Sequence, residues 1–244
     1  QRQMCIRDSD WRAVFTQKWN RELIFGYQKT SYNWRVATIP LGVGGRAYGG
    51  VAITQKLVDA FAMDTEHGGR YPITGYQADG SPVIDPQSGY DESGFTSFTH
   101  PILGSTKSTY NMYLNREPRF YACIGFDRGT FEIDGTTITL KLRGGELHGS
   151  TLKETDEYQS CTGYVCQKWI SRTSYYDKSL NTYTYTRYAY PYLRLAELYL
   201  SYAEADFEYN GSLSGKSLEY INRVRRRCGL PDFEDSWALA GGIP

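Results

Sequence analysis

The sequence carries no net charge. Its 27 lysines and arginines balance 27 aspartates and glutamates over 244 residues. That balance supplies no basic stripe for nucleic acid and nothing to draw the chain onto an anionic membrane surface. Long apolar runs are missing too, and no stretch approaches the ~20 residues of a spanning helix. Histidine is scarce: His67, His100 and His148 stand far apart. A zinc site asks for His and Cys at short spacing, so no metal centre is expected, and no cofactor. A G-x-S-x-G elbow is absent, the Gly-rich stretch lacks a G-K-[S/T] phosphate loop, and Ser, Cys and His form no recognisable nucleophile set. Carboxylates are plentiful, as in Asp91-Glu92, Glu154 with Asp156 and Glu157, and Glu204 with Asp206. A glycosidase needs two of them facing each other across a sugar, which linear order does not establish. The chain is read as a non-enzyme.

What is present is aromatic. There are 22 tyrosines, 10 phenylalanines and 5 tryptophans. Such faces pack against the C–H surface of a sugar ring; filling the layers between helices is the plainer use of the same tyrosine. The five cysteines are an odd number. Cys161 and Cys166 are close enough to pair across a loop, while Cys123 and Cys228 stand in apolar patterns, as small core residues do.

The clearest local signal is a helical hairpin near the end, over 192–209 and 215–228. Leu195, Ala196, Tyr199, Ala203 and Phe207 fall on one helical face. Asn210-Gly211 breaks that helix and Ser214 can cap the next. Leu218, Ile221, Val224 and Cys228 then recur at helical spacing. Gly229 sits where a left-handed residue ends a helix, with Leu230 and Pro231 beyond it. Two such helices joined by a short turn are the unit of tetratricopeptide-type arrays. Glu197 and Glu204 are expected to pair with a nearby arginine, Arg194 or Arg225.

The wording of this hairpin, R-L-A-E-L-Y-L-S-Y-A-E-A followed by E-Y-I-N-R-V-R-R-R-C-G-L-P, resembles the SusD/RagB family. Two further segments carry the resemblance in the same order: Thr54-Gln55-Lys56-Leu57-Val58-Asp59-Ala60-Phe61-Ala62-Met63 and Asn115-Arg116-Glu117-Pro118-Arg119-Phe120-Tyr121. The piece from Gly163 to Trp169 is similar to a further family segment. The family's members are outer-membrane lipoproteins of Bacteroidota that capture glycans for a TonB-dependent transporter. The resemblance implies a glycan ligand, a SusC-like transporter partner, and a place on the extracellular face of the outer membrane, with membrane attachment only through an N-terminal lipid anchor absent here. It also implies further sequence on both sides. Residues 1–9, QRQMCIRDS, have no apolar h-region and no pattern in common with the residues after them. They are read as a non-native scar, and Cys5 is not a credible lipidated cysteine.

The expected fold is mostly α: tetratricopeptide-like helix pairs with long loops and a small β-hairpin element. Residues 10–244 are read as a partial SusD-like domain, loop-rich over 26–50 and 64–108, with a small sheet over 120–142 and the helical hairpin within 190–231. Residues 20–25 read as a helix end or a strand. Thr54 caps a helix over 55–63 that buries Leu57, Val58 and Phe61. Asn115–Phe120 ends a short helix before Pro118, where Arg116, Glu117 and Arg119 lock the end. Asp134-Gly135 marks a hairpin turn.

The resemblance places part of a glycan-binding arc just before the helix at 55. The candidate binding residues are Tyr32, Asn33, Trp34, Arg46 and Tyr48, aromatic and polar side chains on a Gly-rich segment without helical or alternating spacing. Trp169, in an extended segment, is expected to be packed. Two functions stay open at this point: surface glycan binding with delivery to a SusC-like transporter, or a tetratricopeptide-like protein- or peptide-binding scaffold without glycan activity.

Overall fold

The computed structural model describes residues 10–27, 37–40, 49, 51–133, 136–149, 159–177, 179–180, 182–184 and 186–239. Helix α1 (Asp10–Thr16) leads into strand β1 (Leu23–Tyr27), so residues 20–25 resolve as a turn into a strand. β1 pairs antiparallel with β12 (Tyr190–Arg194), a partner far along the chain, with Leu23 opposite Arg194 and Tyr27 opposite Tyr190. Helix α2 (Gln55–Asp59) comes after β1. Two hairpins come next, β2 (Ile73–Tyr76) with β3 (Pro82–Ile84) and β4 (Phe95–Thr99) with β5 (Thr106–Tyr110). They stand in the stretch read as loop at 64–108.

The central part is short elements packed edge to edge. Helix α3 (Pro118–Cys123) runs into β6 (Ile124–Gly125), which pairs with β9 (Val165–Cys166). β7 (Thr130–Ile133) and β8 (Thr136–Thr139) form the expected hairpin, whose turn residues 134–135 lie outside the described residues. β10 (Tyr175–Asp177) pairs with β11 (Thr182–Thr184). Helices α4 (Leu195–Asn210), α5 (Gly215–Arg227) and α6 (Phe233–Leu239) close the described chain.

The described residues are mixed and low in helix, so they do not bear out the expectation of a mostly α fold. Short antiparallel strand pairs recur along the described residues, and long helices are confined to 195–227. The reason is local: only the later residues repeat at helical spacing over several turns. The Tyr-, Thr- and Gly-rich stretches before them are too broken for a helix and pair instead as ribbons.

Two apolar cores lie under these elements. One gathers Phe15, Val58, Tyr113, Phe120, Tyr121, Phe126 and Tyr164. The other gathers Ile39, Phe131, Leu140, Val165 and Ile170 around the β7–β8 hairpin. Arg12 ties α1 to the second: its Nε and Nη2 donate to the Ile170 carbonyl at 3.0 and 2.6 Å, and Nη1 to Glu132 O at 3.2 Å.

Local expectations are met or corrected for identifiable reasons. Thr54 caps α2, its Oγ1 accepting from Leu57 N, but the helix stops at Asp59 rather than Met63. Ala62 N, which would continue the helix onto Val58 O, donates instead to Glu117 Oε1 at 3.0 Å, and Arg116 Nη2 takes the carbonyls of Val58 and Phe61 at 2.7 and 2.9 Å. Leu57, expected inside, is 52% exposed.

A short 3-10 helix does precede Pro118, over Asn111–Tyr113, but Pro118 itself starts a second helix, and Tyr121 to Cys123 are helical. Proline's fixed φ and missing N–H suit a first turn. Glu117, fully buried, locks that start: it accepts from Ala62 N at 3.0 Å and pairs with Arg119 through both oxygens at 2.5 and 2.9 Å. Cys123 and Cys228 are buried. Cys161 is exposed, Cys166 is buried in β9, and both are free thiols.

The expected pairing of Glu197 and Glu204 is seen only in part: the charge of Glu197 acts on Arg194. Arg194 and Arg227 both reach Glu22, at the mouth of β1. Arg225 donates to Pro231 O, Tyr71 Oη and Ser236 Oγ.

Candidate functional site

Side chains two residues apart on a strand share a face. On the β1–β12 ribbon this aligns Phe25 with Tyr27 and Tyr190 with Tyr192. Their rings meet: Tyr190 and Tyr192 at 5.5 Å between centroids, Tyr192 and Phe25 at 6.0 Å, Tyr192 and Tyr27 at 6.3 Å. Trp169 extends the run, stacked on Tyr190 at 5.0 Å and 22°, and it meets Phe15 edge-on at 5.5 Å. The inner end is packed, while Phe25, Tyr27 and Tyr192 are 63%, 49% and 57% exposed.

Beside this run lies a cleft of about 600 Å³. Trp169, Tyr190 and Tyr192 line it, together with Glu197, Ser201 and Glu204 of α4. Lys168 and Arg119 add positive charge. The Lys168 ammonium lies 4.1 Å from the Phe15 centroid and 4.8 Å from that of Trp169, and burial lowers its pKa below the ordinary lysine range. Arg194 covers Phe15 as well, at 4.5 Å. Cations held over ring faces gain from partial desolvation. The arrangement offers flat apolar faces, carboxylates that accept from hydroxyls, and cations that donate to them. Among the described residues no group of three or more His, Cys, Asp or Glu stands together as a metal site would require.

The five residues singled out from the sequence, Tyr32, Asn33, Trp34, Arg46 and Tyr48, lie outside the described residues. Their flanks do not. Gly49 N donates to Ile39 O at 2.8 Å and Val51 N to Ala37 O at 3.1 Å, which closes the base of the 40–48 stretch. Ile39 is fully buried in the second core. The 28–36 stretch leaves directly from Tyr27, an exposed end of the ring run. Trp169 is half-buried and packed as expected, and it also lines the cleft. The ribbon aromatics were missed. The alternation Phe25-x-Tyr27 and Tyr190-x-Tyr192 was a period-two signal, but a helix drawn from 192 assigned Tyr192 to the wrong element.

The sequence profile of the SusD family (SusD_RagB) matches residues 11–241. Nine chains of solved structures match this one, among them the following two. The protein designated BT4246 is 25% identical with a TM-score of 0.69, the match covering 91% of this chain and 36% of that protein. A SusD-like protein (BF3747) from Bacteroides fragilis NCTC 9343 is 28% identical with a TM-score of 0.61, the match covering 94% of this chain and 40% of that one. The chain thus spans well under half the length of the proteins it resembles. Among curated protein sequences no relative matches significantly. With the profile spanning nearly all of its length and three motifs in order, the chain belongs to the SusD family.

Proposed function

We propose that this chain is the glycan-contacting part of a cell-surface capture protein. In this reading it is not an enzyme. It binds an oligo- or polysaccharide at the outer membrane of its cell and passes it to a SusC-like TonB-dependent transporter. Residues 10–244 act as one partial domain of the whole protein. The observation that carries the reading is the ring run ending in exposed Phe25, Tyr27 and Tyr192 beside a cleft with carboxylates and cations. Flat rings take the C–H faces of successive sugars, and Glu197, Glu204 and Lys168 meet hydroxyls. Tyr32, Asn33, Trp34, Arg46 and Tyr48, which lie outside the described residues, are further glycan-binding residues in this reading.

The test is affinity electrophoresis in gels holding different polysaccharides, then calorimetry of the full-length protein with the glycan that retards it. Trp34→Ala and Tyr192→Ala should each cost about 1 kcal/mol of binding, roughly fivefold in Kd, with unchanged melting temperature. Trp169→Ala should mainly lower the melting temperature. If both Trp34→Ala and Tyr192→Ala bind as wild type, the site is misplaced. If Trp34→Ala melts far earlier, Trp34 is a core residue.

One observation favours a second reading, a tetratricopeptide-like peptide or protein scaffold. Helix α4 turns Leu198, Leu200, Tyr202, Phe207 and Tyr209 toward solvent. Capture of peptides with no retardation by any polysaccharide would select it.

A further inference from the structure

Among the described residues, four cations line the cleft beside the ring run: Arg119, Lys168, Arg194 and Arg227. Three of them have a carboxylate. Arg119 is paired with Glu117, and Arg194 and Arg227 both turn to Glu22. Lys168 is the exception. Its ammonium meets ring faces instead, 4.1 Å from the Phe15 centroid and 4.8 Å from that of Trp169, and it has no ion pair among the described residues. Phe15, Trp169 and Arg194, which surround it, line the same cleft. The amine is not sealed off. It has no hydrogen-bond partner, yet unlike Glu22 Oε2 and Arg194 Nη1 it keeps solvent-accessible surface.

An amine so placed is a nucleophile. Only the neutral amine has a free lone pair, and both desolvation among apolar groups and a neighbouring cation favour that form. Burial, joined by the charge of Arg194, lowers the pKa of Lys168. Two groups would oppose this if ionised, Cys123 and Cys166, and both are buried. Burial pushes the Cys166 thiol up, so it stays protonated near neutral pH. The carboxylates of Glu197 and Glu204 line the cleft from α4, and neither forms an ion pair with Lys168.

The electrophile that suits these groups is an aldehyde. It asks for a neutral amine and a relay for protons, and for no oxidant or reductant. Lys168 Nζ attacks the carbonyl carbon. The C–N bond forms as the π pair of the C=O bond moves to oxygen. That oxygen then leaves as water, taking both hydrogens of the amine, and a C=N bond remains. Carboxylates in the cleft can carry the protons from nitrogen to oxygen. The ring faces of Trp169, Tyr190 and Tyr192 along the wall favour an aromatic aldehyde over an aliphatic one. The volume, about 600 Å³, admits such a molecule with room to spare.

We propose that Lys168 is a covalent modification site, which takes a small aromatic aldehyde as an imine. The proposal rests on the geometry of the cleft and not on glycan capture. The test is labelling of the full-length protein with benzaldehyde and sodium cyanoborohydride, which reduces the imine to a stable amine. Occupancy is read lysine by lysine in peptide mass spectra. Propanal is the aliphatic counterpart. Lys216, whose side chain is 54% exposed and pairs with Glu219, is the internal reference.

At pH 7 benzaldehyde should label Lys168 at least tenfold faster than Lys216, and the ratio should fall threefold or more with propanal. Lys168→Arg should abolish the fast phase, with no other lysine taking it up. The proposal is overturned if Lys168 labels no faster than Lys216, if propanal gives the same ratio, or if the fast phase survives in Lys168→Arg. Fast labelling of Lys168 in a protein that no polysaccharide retards would uphold this proposal and sink the glycan reading. Retardation without fast labelling would do the reverse.

Discussion

His100 lies 3% exposed between β4 and β5, where its Nδ1 accepts from the N–H groups of Ile102 and Leu103 at 3.3 and 3.2 Å. The ring is stacked parallel to Phe126 and meets Tyr121 edge-on. Burial, aided by the positive charge of Arg172, lowers its pKa to about 4. An unfolded histidine titrates near 6.5, so the unfolded chain binds more protons between these values. The contribution to stability is fully present above about pH 6.5 and is lost as pH falls through about 4, by up to about 3 kcal/mol. Urea midpoints taken from pH 7 to 4.5 should fall, and a His100→Gln variant should fall less steeply. Equal slopes would show that another group titrates. At this scale the sequence was informative where chemistry is local. Arg116, Glu117 and Arg119 lock a helix end as their charges suggested. The lock faces the opposite way along the chain, because the deciding partners, Ala62 N and the carbonyls of Val58 and Phe61, come from another segment.

The helix pair α4–α5 shows the same division among elements. Its stops and starts are as read: Gly211 and Gly229 take φ of 68° and 72°, and Ser214 accepts from Ser217 N. Asp206 adds a link that spacing did not suggest, accepting from Ser217 Oγ, Ser214 N and Asn210 Nδ2. These bonds, the one from Ser217 first, hold its carboxyl well below the usual range. The buried face was less legible. Ala196 and Ala203 are buried, whereas Leu195 and Phe207, assigned to the same stripe, are 36% and 47% exposed. Helical spacing shows which residues share a face, and only a neighbouring element shows which face is covered. Ala203, 3% exposed, is small where the helix is buried. Ala203→Trp should therefore overpack it at a cost of roughly 1–3 kcal/mol, read as a lower urea midpoint. A variant as stable as wild type would mean the neighbouring surface yields freely.

Across the molecule the C-terminal helices are held to a distant turn. Arg225 Nη1 donates to Tyr71 Oη at 2.9 Å, Nη2 to Ser236 Oγ at 2.6 Å, and Nε to Pro231 O at 2.8 Å. Tyr71 stacks on Trp237 at 5.5 Å. Gly69 lies so near Pro231 that an added Cβ would stand 2.7 Å from its ring. Arg225→Ala leaves buried acceptors unpaired and should cost about 3 kcal/mol, with a change in the Trp237 environment seen in emission. Arg225→Lys keeps the charge without the fork and should recover less than half. Wild-type stability in Arg225→Ala would show that stacking and close packing alone hold the junction.

Sequence alone determined what acts within a few residues: caps, left-handed stops, the β7–β8 hairpin, the absence of a spanning run, and the motifs that match the SusD family. The caps, stops and hairpin depend on bonds or sterics spanning about four positions, so the residue order carries the whole cause. Tertiary structure decided what depends on residues brought from afar. Glu22 took Arg194 and Arg227, Arg225 went to Tyr71, Ser236 and Pro231 O, and β1 found its partner in β12. The ring run from Trp169 to Tyr27 and the cleft beside it depend on the β1–β12 pairing, which brings Phe25 and Tyr27 to Tyr190 and Tyr192. Burial and cavity shape are properties of neighbours in space, and spacing along a chain does not specify them.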